Sequence, residues 1–336
     1  WGAPVEVPPV CKSQYRPGMK ILSQIGKTPN LLTETVQPFQ TGPLVDQQHG
    51  YARFEIVVNR SMFDYILSNS LYSVAGQQAF AGPVVFPCGA GSAVGAVMVK
   101  AAWKLVEQGD DVHRFHTATT LVYTPPSTDP PVAESCSTQT VELVGFHVAH
   151  KVDSFPQWIW STFEQVDNVP TAAQVQSGHL QAKYNFYDPS CPAANCKVNA
   201  APPRPWIPSQ RSTPPSQVVR EDVLPAFATA SATQRNATAK ALYVGVNQQS
   251  VWQYYELIST QWPTSPSPAC TPNPTQPNGN PAPPFLANTT LETYDQGSVA
   301  NVSSSCIGCH GNAGMTTGKA SDFTYLLQRA QGKGRP

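Results

Sequence analysis

Three residues in the C-terminal part of the chain have the types and spacing for covalent chemistry. The sequence there reads Cys306-Ile307-Gly308-Cys309-His310. Two thiols three positions apart can each form a thioether to one of the two vinyl groups of a porphyrin. The histidine that follows is then held beneath the iron as its proximal ligand. With eight cysteines and seven histidines in 336 residues, composition alone supplies only about 0.004 such strings per chain. Two other uses of C-x-x-C fit less well. A zinc site wants a second Cys/His pair at short spacing, and none follows. A thioredoxin-like redox pair wants a preceding strand, whereas Asn301 to Ser305 reads as loop. The spacing predicts one covalent haem c, bound by Cys306 and Cys309 with His310 as proximal iron ligand.

The second axial position is harder to read. Met315 is the only methionine after His310. Five residues span at most about 18 Å, too little to wrap round a haem edge through a turning, glycine-containing segment. The candidate distal ligand is therefore His150 or His147, in Gly145-Phe146-His147-Val148-Ala149-His150-Lys151. On a regular strand the two point to opposite faces. His147 then shares a face with Val141 and Leu143, and His150 with Val144, Phe146 and Val148. An open iron is the other possibility. It would need an acid/base partner, for which His147 or His150 with Glu164 could serve. Glu164, Asp167 and Asn168 form a polar cluster that reads either as such a site or as a turn bonded to itself. Ligands from separate strands leave no readable spacing, so the sequence is silent on a second metal.

These residues need elements to hold them. Charged residues are only 12% of the chain and its formal net charge is zero, while Pro is plentiful at 34 residues. Such a chain has no electrostatic basis for capturing nucleic acid. No apolar run is long enough for a transmembrane segment. The composition suits a secreted protein stabilised by packing, stiff loops and disulfides. The chain begins at Trp1, consistent with a removed signal peptide and a periplasmic or extracellular location in a bacterium. Six cysteines lie outside the motif, enough for three disulfides, and Cys191 with Cys196 is the most natural pair.

The hydrophobic pattern predicts strands at Arg53 to Val58, Ala93 to Val106, Phe115 to Tyr123, Thr140 to Lys151 and Gln157 to Phe163. Helices are expected after Asn59 or Ser61, at Ser231 to Val244, at Val251 to Trp262 and at Phe323 to Ala330. The fold class expected is mainly β with a few helices. Its body is an antiparallel β-sandwich or distorted barrel, with a short helical C-terminal haem-binding segment. The expected organisation is a β-rich body over 1–262, a Pro-rich connector over 263–284 and the haem segment over 285–336.

The motif makes the chain resemble a c-type cytochrome. Phe146 to Lys151, Pro156 to Glu164 and Trp252 to Trp262 are similar to poorly characterised bacterial proteins of the cytochrome c family, in which a large N-terminal region precedes a C-terminal haem motif. The resemblance implies a haem with Cys306, Cys309 and His310 as its residues. The motif licenses redox chemistry, and the leading expectation is a monohaem protein working in electron transfer with a redox partner protein or a small-molecule electron donor or acceptor. Two alternatives remain at this stage. One is a haem-dependent oxidoreductase, peroxidase- or oxidase-like, with an open or exchangeable distal site. The other is a haem-stapled structural subunit of an extracellular assembly. The sequence leaves the oligomeric state open.

Overall fold

The longest alternating stretch of the sequence becomes the strand from which the rest is hung. In the computed structural model, this strand, β7, runs over Ser135–Val152. The structure describes residues 7–17, 19–23, 41–124, 126–128, 131–192, 194–207, 210–221, 226–265, 270, 280–294, 305–330 and 332. The other strands are β1 (Lys20–Ser23), β2 (Arg53–Val58), β3 (Val97–Leu105), β4 (Thr117–Thr124), β5 (Ser127–Thr128), β6 (Pro131–Val132), β8 (Phe155–Gln165), β9 (Tyr255–Pro263) and β10 (Pro281–Ala282). Eight of them form one mainly antiparallel sheet, and β5 and β6 make a separate small ribbon.

The register shows how that sheet is built. Val141 and Glu142 pair with both β3 and β4, so those strands lie on opposite edges of β7. Gly145 pairs with both Ala102 of β3 and Glu164 of β8. Strand β8 therefore continues along the edge that β4 began, and the sheet forks along β7. The mainly-β class is as expected, and the body is a single forked sheet.

Helix α1 (Arg60–Ser68) starts at Asn59, whose side-chain oxygen accepts from Met62 N. The same oxygen accepts from Val97 N, and the amide donates to Gly95 O, so one side chain caps the helix and ties it to β3. Helices α2 (Val74–Ala79) and α3 (Ala172–Ser177) are short, the latter closed by a Thr171/Gln174 capping box. Helix α4 (Ala226–Val246) lies against β9. Among the described residues no helix is long and apolar enough to cross a membrane. Disulfides join Cys11 to Cys136, Cys88 to Cys270 and Cys191 to Cys196.

Two expected helices are absent. Residues 251–262 form one 3₁₀ turn and then β9. Their helix-like spacing arises because Ile258 is an extra residue opposite Thr162 and Phe163, a bulge that breaks the two-residue alternation. The C-terminal helix is instead a tight turn at Ser321–Thr324 and a 3₁₀ segment over Tyr325–Arg329, capped by Thr324.

Ile307, Met315, Phe323 and Leu327 belong to the same apolar cluster as Val58, Met62, Met98, Ala149, Trp158 and Trp160. The C-terminal segment thus shares its core with one end of the sheet face. A second cluster, around Phe54, Ala102, Val144 and Phe186, covers the other end.

Candidate functional site

The motif forms a single helical turn, α5 (Cys306–His310). Ser305 precedes it, but its hydroxyl does not cap the helix. It accepts instead from Gln261 Nε2 at 2.7 Å and from Leu286 N at 3.3 Å. Gln261 Oε1 accepts from Ile307 N at 2.8 Å. One buried glutamine on β9 therefore satisfies an otherwise orphaned N–H at the helix start, while Ile307 inserts into the core. The turn is fixed on the side of the sheet carrying Trp160, which pairs directly with Gln261.

His310 is held by three groups. Its Nδ1 lies 2.7 Å from the Phe323 carbonyl oxygen. A carbonyl only accepts, so the proton resides on Nδ1 and Nε2 carries a free lone pair. The Trp160 ring lies 4.4 Å from the imidazole, centroid to centroid, and the Tyr325 ring 5.4 Å. The Tyr325 hydroxyl donates to the Cys309 carbonyl at 2.9 Å. Burial lowers the His310 pKa to about 4, so the ring is neutral at neutral pH. This is the form and tautomer that binds a metal through Nε2.

The Phe323 carbonyl is itself presented by an unusual turn. Asp322 and Phe323 have φ of 52° and 65°, and Trp158 has φ of 69°. Left-handed non-glycine residues cost on the order of 1–3 kcal/mol each and persist only where surrounding contacts over-determine them. Here the Asp322 carboxylate accepts from Lys151 Nζ, from Phe86 N at 2.7 Å and from Trp158 Nε1 at 3.3 Å. Burial pushes Asp322 up and Lys151 down, against their mutual attraction.

Cys306 and Cys309 are unpaired, whereas the six other cysteines are in disulfides. Burial, with the negative charge of Glu292 adding to it, pushes the Cys306 thiol up. Burial likewise raises Cys309, to about 11. A thioredoxin-like pair needs a depressed thiol pKa, so these thiols lack that activation. Among the described residues no group of three His, Cys, Asp or Glu could hold a metal ion by itself.

The two distal candidates separate. Met98, Ala149 and Trp160 are paired across β3, β7 and β8 and enter one apolar cluster. The rung two residues on, Lys100, His147 and Thr162, must lie on that same face. His150 projects from the other face, and its Nε2 is engaged by the Val94 carbonyl. The neighbours expected for His147 are also corrected. Val144 is an extra residue opposite Ala102 and Trp103, so the alternation reverses there. Val141 and Leu143 join Phe146 in a cluster on the face away from the motif. His147 instead shares its face with Val144 and Ala149.

His147 Nε2 lies 2.9 and 3.0 Å from the two Glu292 oxygens, and Lys100 Nζ lies 3.3 Å from Glu292. His147 Nδ1 is buried without a hydrogen-bond partner among the described residues. Burial alone would raise Glu292, but His147 and Lys100 outweigh it and hold the carboxyl at about 2. Glu292 arrives on a turn whose Asn288 bonds Thr162 Oγ1 and the Phe163 carbonyl. That turn passes so close to β7 that a Cβ on Gly145 would meet Thr290 Oγ1 at 2.2 Å. The Glu164, Asp167 and Asn168 cluster is occupied structurally. Glu164 pairs with Arg220 and accepts from Thr289, Asp167 takes a bidentate bond from Arg114, and Asn168 donates to Val144 O.

Three features fit the chemistry of a c-type haem: two unpaired thiols on one helical turn, the neutral Nδ1–H tautomer of the adjacent histidine, and aromatic rings around it. Sequence reasoning missed Gln261, Glu292, Asp322 and Tyr325. Each acts across at least 13 positions, and none carries a spacing signal. Comparison with family models, with curated proteins and with solved structures finds no match for this chain.

Proposed function

We propose that this protein is a monohaem c-type cytochrome that transfers electrons, with one haem c bound by Cys306 and Cys309 and with His310 as proximal ligand. The observation that carries the reading is the partition of the cysteines. Six are in three disulfides, and the two left free stand in the motif beside a histidine whose Nδ1 is already engaged. Haem, when bound, supplies one-electron chemistry at iron. The chain's own residues would hold it. Gln261 fixes the attachment turn, the Phe323 carbonyl orients His310, and Trp160 and Tyr325 keep water from the imidazole. The disulfides and the motif together favour an oxidising compartment, the periplasm or the exterior. A redox partner protein or a small electron donor or acceptor completes the function.

One observation favours a second reading, a haem-dependent oxidoreductase. His147 stands on the motif's face, with Nδ1 unpartnered among the described residues and Glu292 behind it. A histidine backed by a carboxylate is a usable proton acceptor as well as a usable iron ligand. Optical and EPR spectra of the holoprotein, with and without carbon monoxide, distinguish the two. A low-spin iron indifferent to carbon monoxide supports electron transfer. His147→Ala should then open the site to carbon monoxide, and His150→Ala should not. A high-spin iron that binds carbon monoxide contradicts the simple carrier and favours the oxidoreductase.

A further inference from the structure

The turn Ser321–Thr324 is closed by Thr324 N donating to Ser321 O at 3.3 Å. Positive φ at both of its central residues is the pattern of a type I′ turn, which ordinarily takes Asn or Gly. Here the two residues are Asp322 and Phe323, and an aromatic side chain at positive φ is a true outlier. Local propensity does not explain this turn, so tertiary contacts must. Asp322 supplies them. It is 3% exposed, and its carboxylate gathers Lys151 from β7, Trp158 from β8 and the Phe86 backbone. The ring of Phe323 is locked in the core beside it. Trp158 is a third left-handed residue in the same network. The bond that leads from this network toward the motif is the one from the Phe323 carbonyl to His310 Nδ1, at 2.7 Å.

We infer that Asp322 is a positioning residue for His310: anchored by Lys151 and Trp158, it holds the Phe323 carbonyl as the acceptor that fixes the tautomer and ring direction of the imidazole. Its consequence for iron rests on the function proposed above, whereas its consequence for the tautomer does not. A carbonyl that accepts firmly from Nδ1–H makes the imidazole a stronger donor through Nε2 and favours the ferric state. Weakening that bond raises the midpoint potential.

The test uses Asp322→Ala, which removes every acceptor of the network, and, because a lone buried Lys151 charge can prevent folding, the double variant Asp322→Ala/Lys151→Met, which removes both charges. Glu142→Gln, a buried carboxyl elsewhere, is the control. Long-range ¹H–¹⁵N spectra of the full haem-free chain read the His310 tautomer. The wild type and Glu142→Gln should show the Nδ1–H form alone. A folded Asp322 variant should shift the ratio toward the Nε2–H form by up to about tenfold, the net worth of one hydrogen bond. In the haem-loaded protein the same variants should shift the midpoint potential upward while the control does not. An unchanged tautomer, or an unchanged potential in a loaded and folded variant, overturns the assignment. Failure of the wild type to take up haem would refute the proposed cytochrome, yet the tautomer ratio would still decide the role of Asp322.

Discussion

At the scale of single residues, charges near the motif are few and each has a defined task. Glu292 is held near a pKa of about 2 by His147 and Lys100 despite its burial. Its folded pKa lies below the ordinary carboxylate value, so the folded state binds fewer protons between about pH 4.5 and 2. The resulting stability is present above that window and lost as pH falls through it. Glu292→Gln should therefore flatten the acid limb of the stability curve, removing up to about 3 kcal/mol of its pH dependence. Urea midpoints at pH 5 and pH 3 check this. An acid limb as steep in the variant as in the wild type would mean that Glu292 is not the group responsible. The string Cys306-Ile307-Gly308-Cys309-His310 could be singled out from sequence because its spacing is local. The partners that orient these residues could not, since Asp322, Gln261 and Glu292 reach the site only through the folded chain.

At the scale of elements, the strands were legible wherever the alternation was unbroken, as in β2 and in the stretch of β8 from Ile159 to Glu164. Two bulges made the pattern misleading. Ile258 gave β9 the apolar spacing of a helix, and Val144 inverted the expected neighbours of His147. A bulge is a relation between two strands, so neither strand alone records it. The turn that carries Glu292 depends on the absence of a side chain at Gly145. Gly145→Ala drives a Cβ into Thr290 Oγ1 and should cost about 1–3 kcal/mol, with loss of the contact between Glu292 and His147. Chemical denaturation and the His147 ring resonances test this together. Asn59→Ala should cost about 1–2 kcal/mol, because it removes the α1 cap and two bonds to the β3 region at once. A loss within a few tenths of a kcal/mol would show that water replaces those bonds.

At the scale of the whole molecule, stability rests on buried polar groups and disulfides more than on surface charge. Lys104 lies among Asp46, Asp110 and Glu142, all nearly inaccessible. Burial raises Glu142 to about 7 against the pull of Lys104. The folded state therefore holds an extra proton between about pH 4.5 and 7, and that contribution falls away as pH rises through the window. Glu142→Gln should remove this downward slope, which thermal midpoints between pH 5 and 8 would show. Cys11–Cys136 and Cys88–Cys270 tie together residues 125 and 182 positions apart. Their reduction should cost about 2–5 kcal/mol each. Without reductant, alkylation of the unfolded haem-free chain should label Cys306 and Cys309 alone.

The most direct test of the proposed covalent haem is the mass of the protein made in cells that mature c-type cytochromes. The expected result is one haem that survives denaturation and extraction, is located to the peptide containing Cys306 and Cys309, and is lost in the Cys306→Ala/Cys309→Ala variant. A protein recovered from those cells with both thiols free and no haem attached would contradict it.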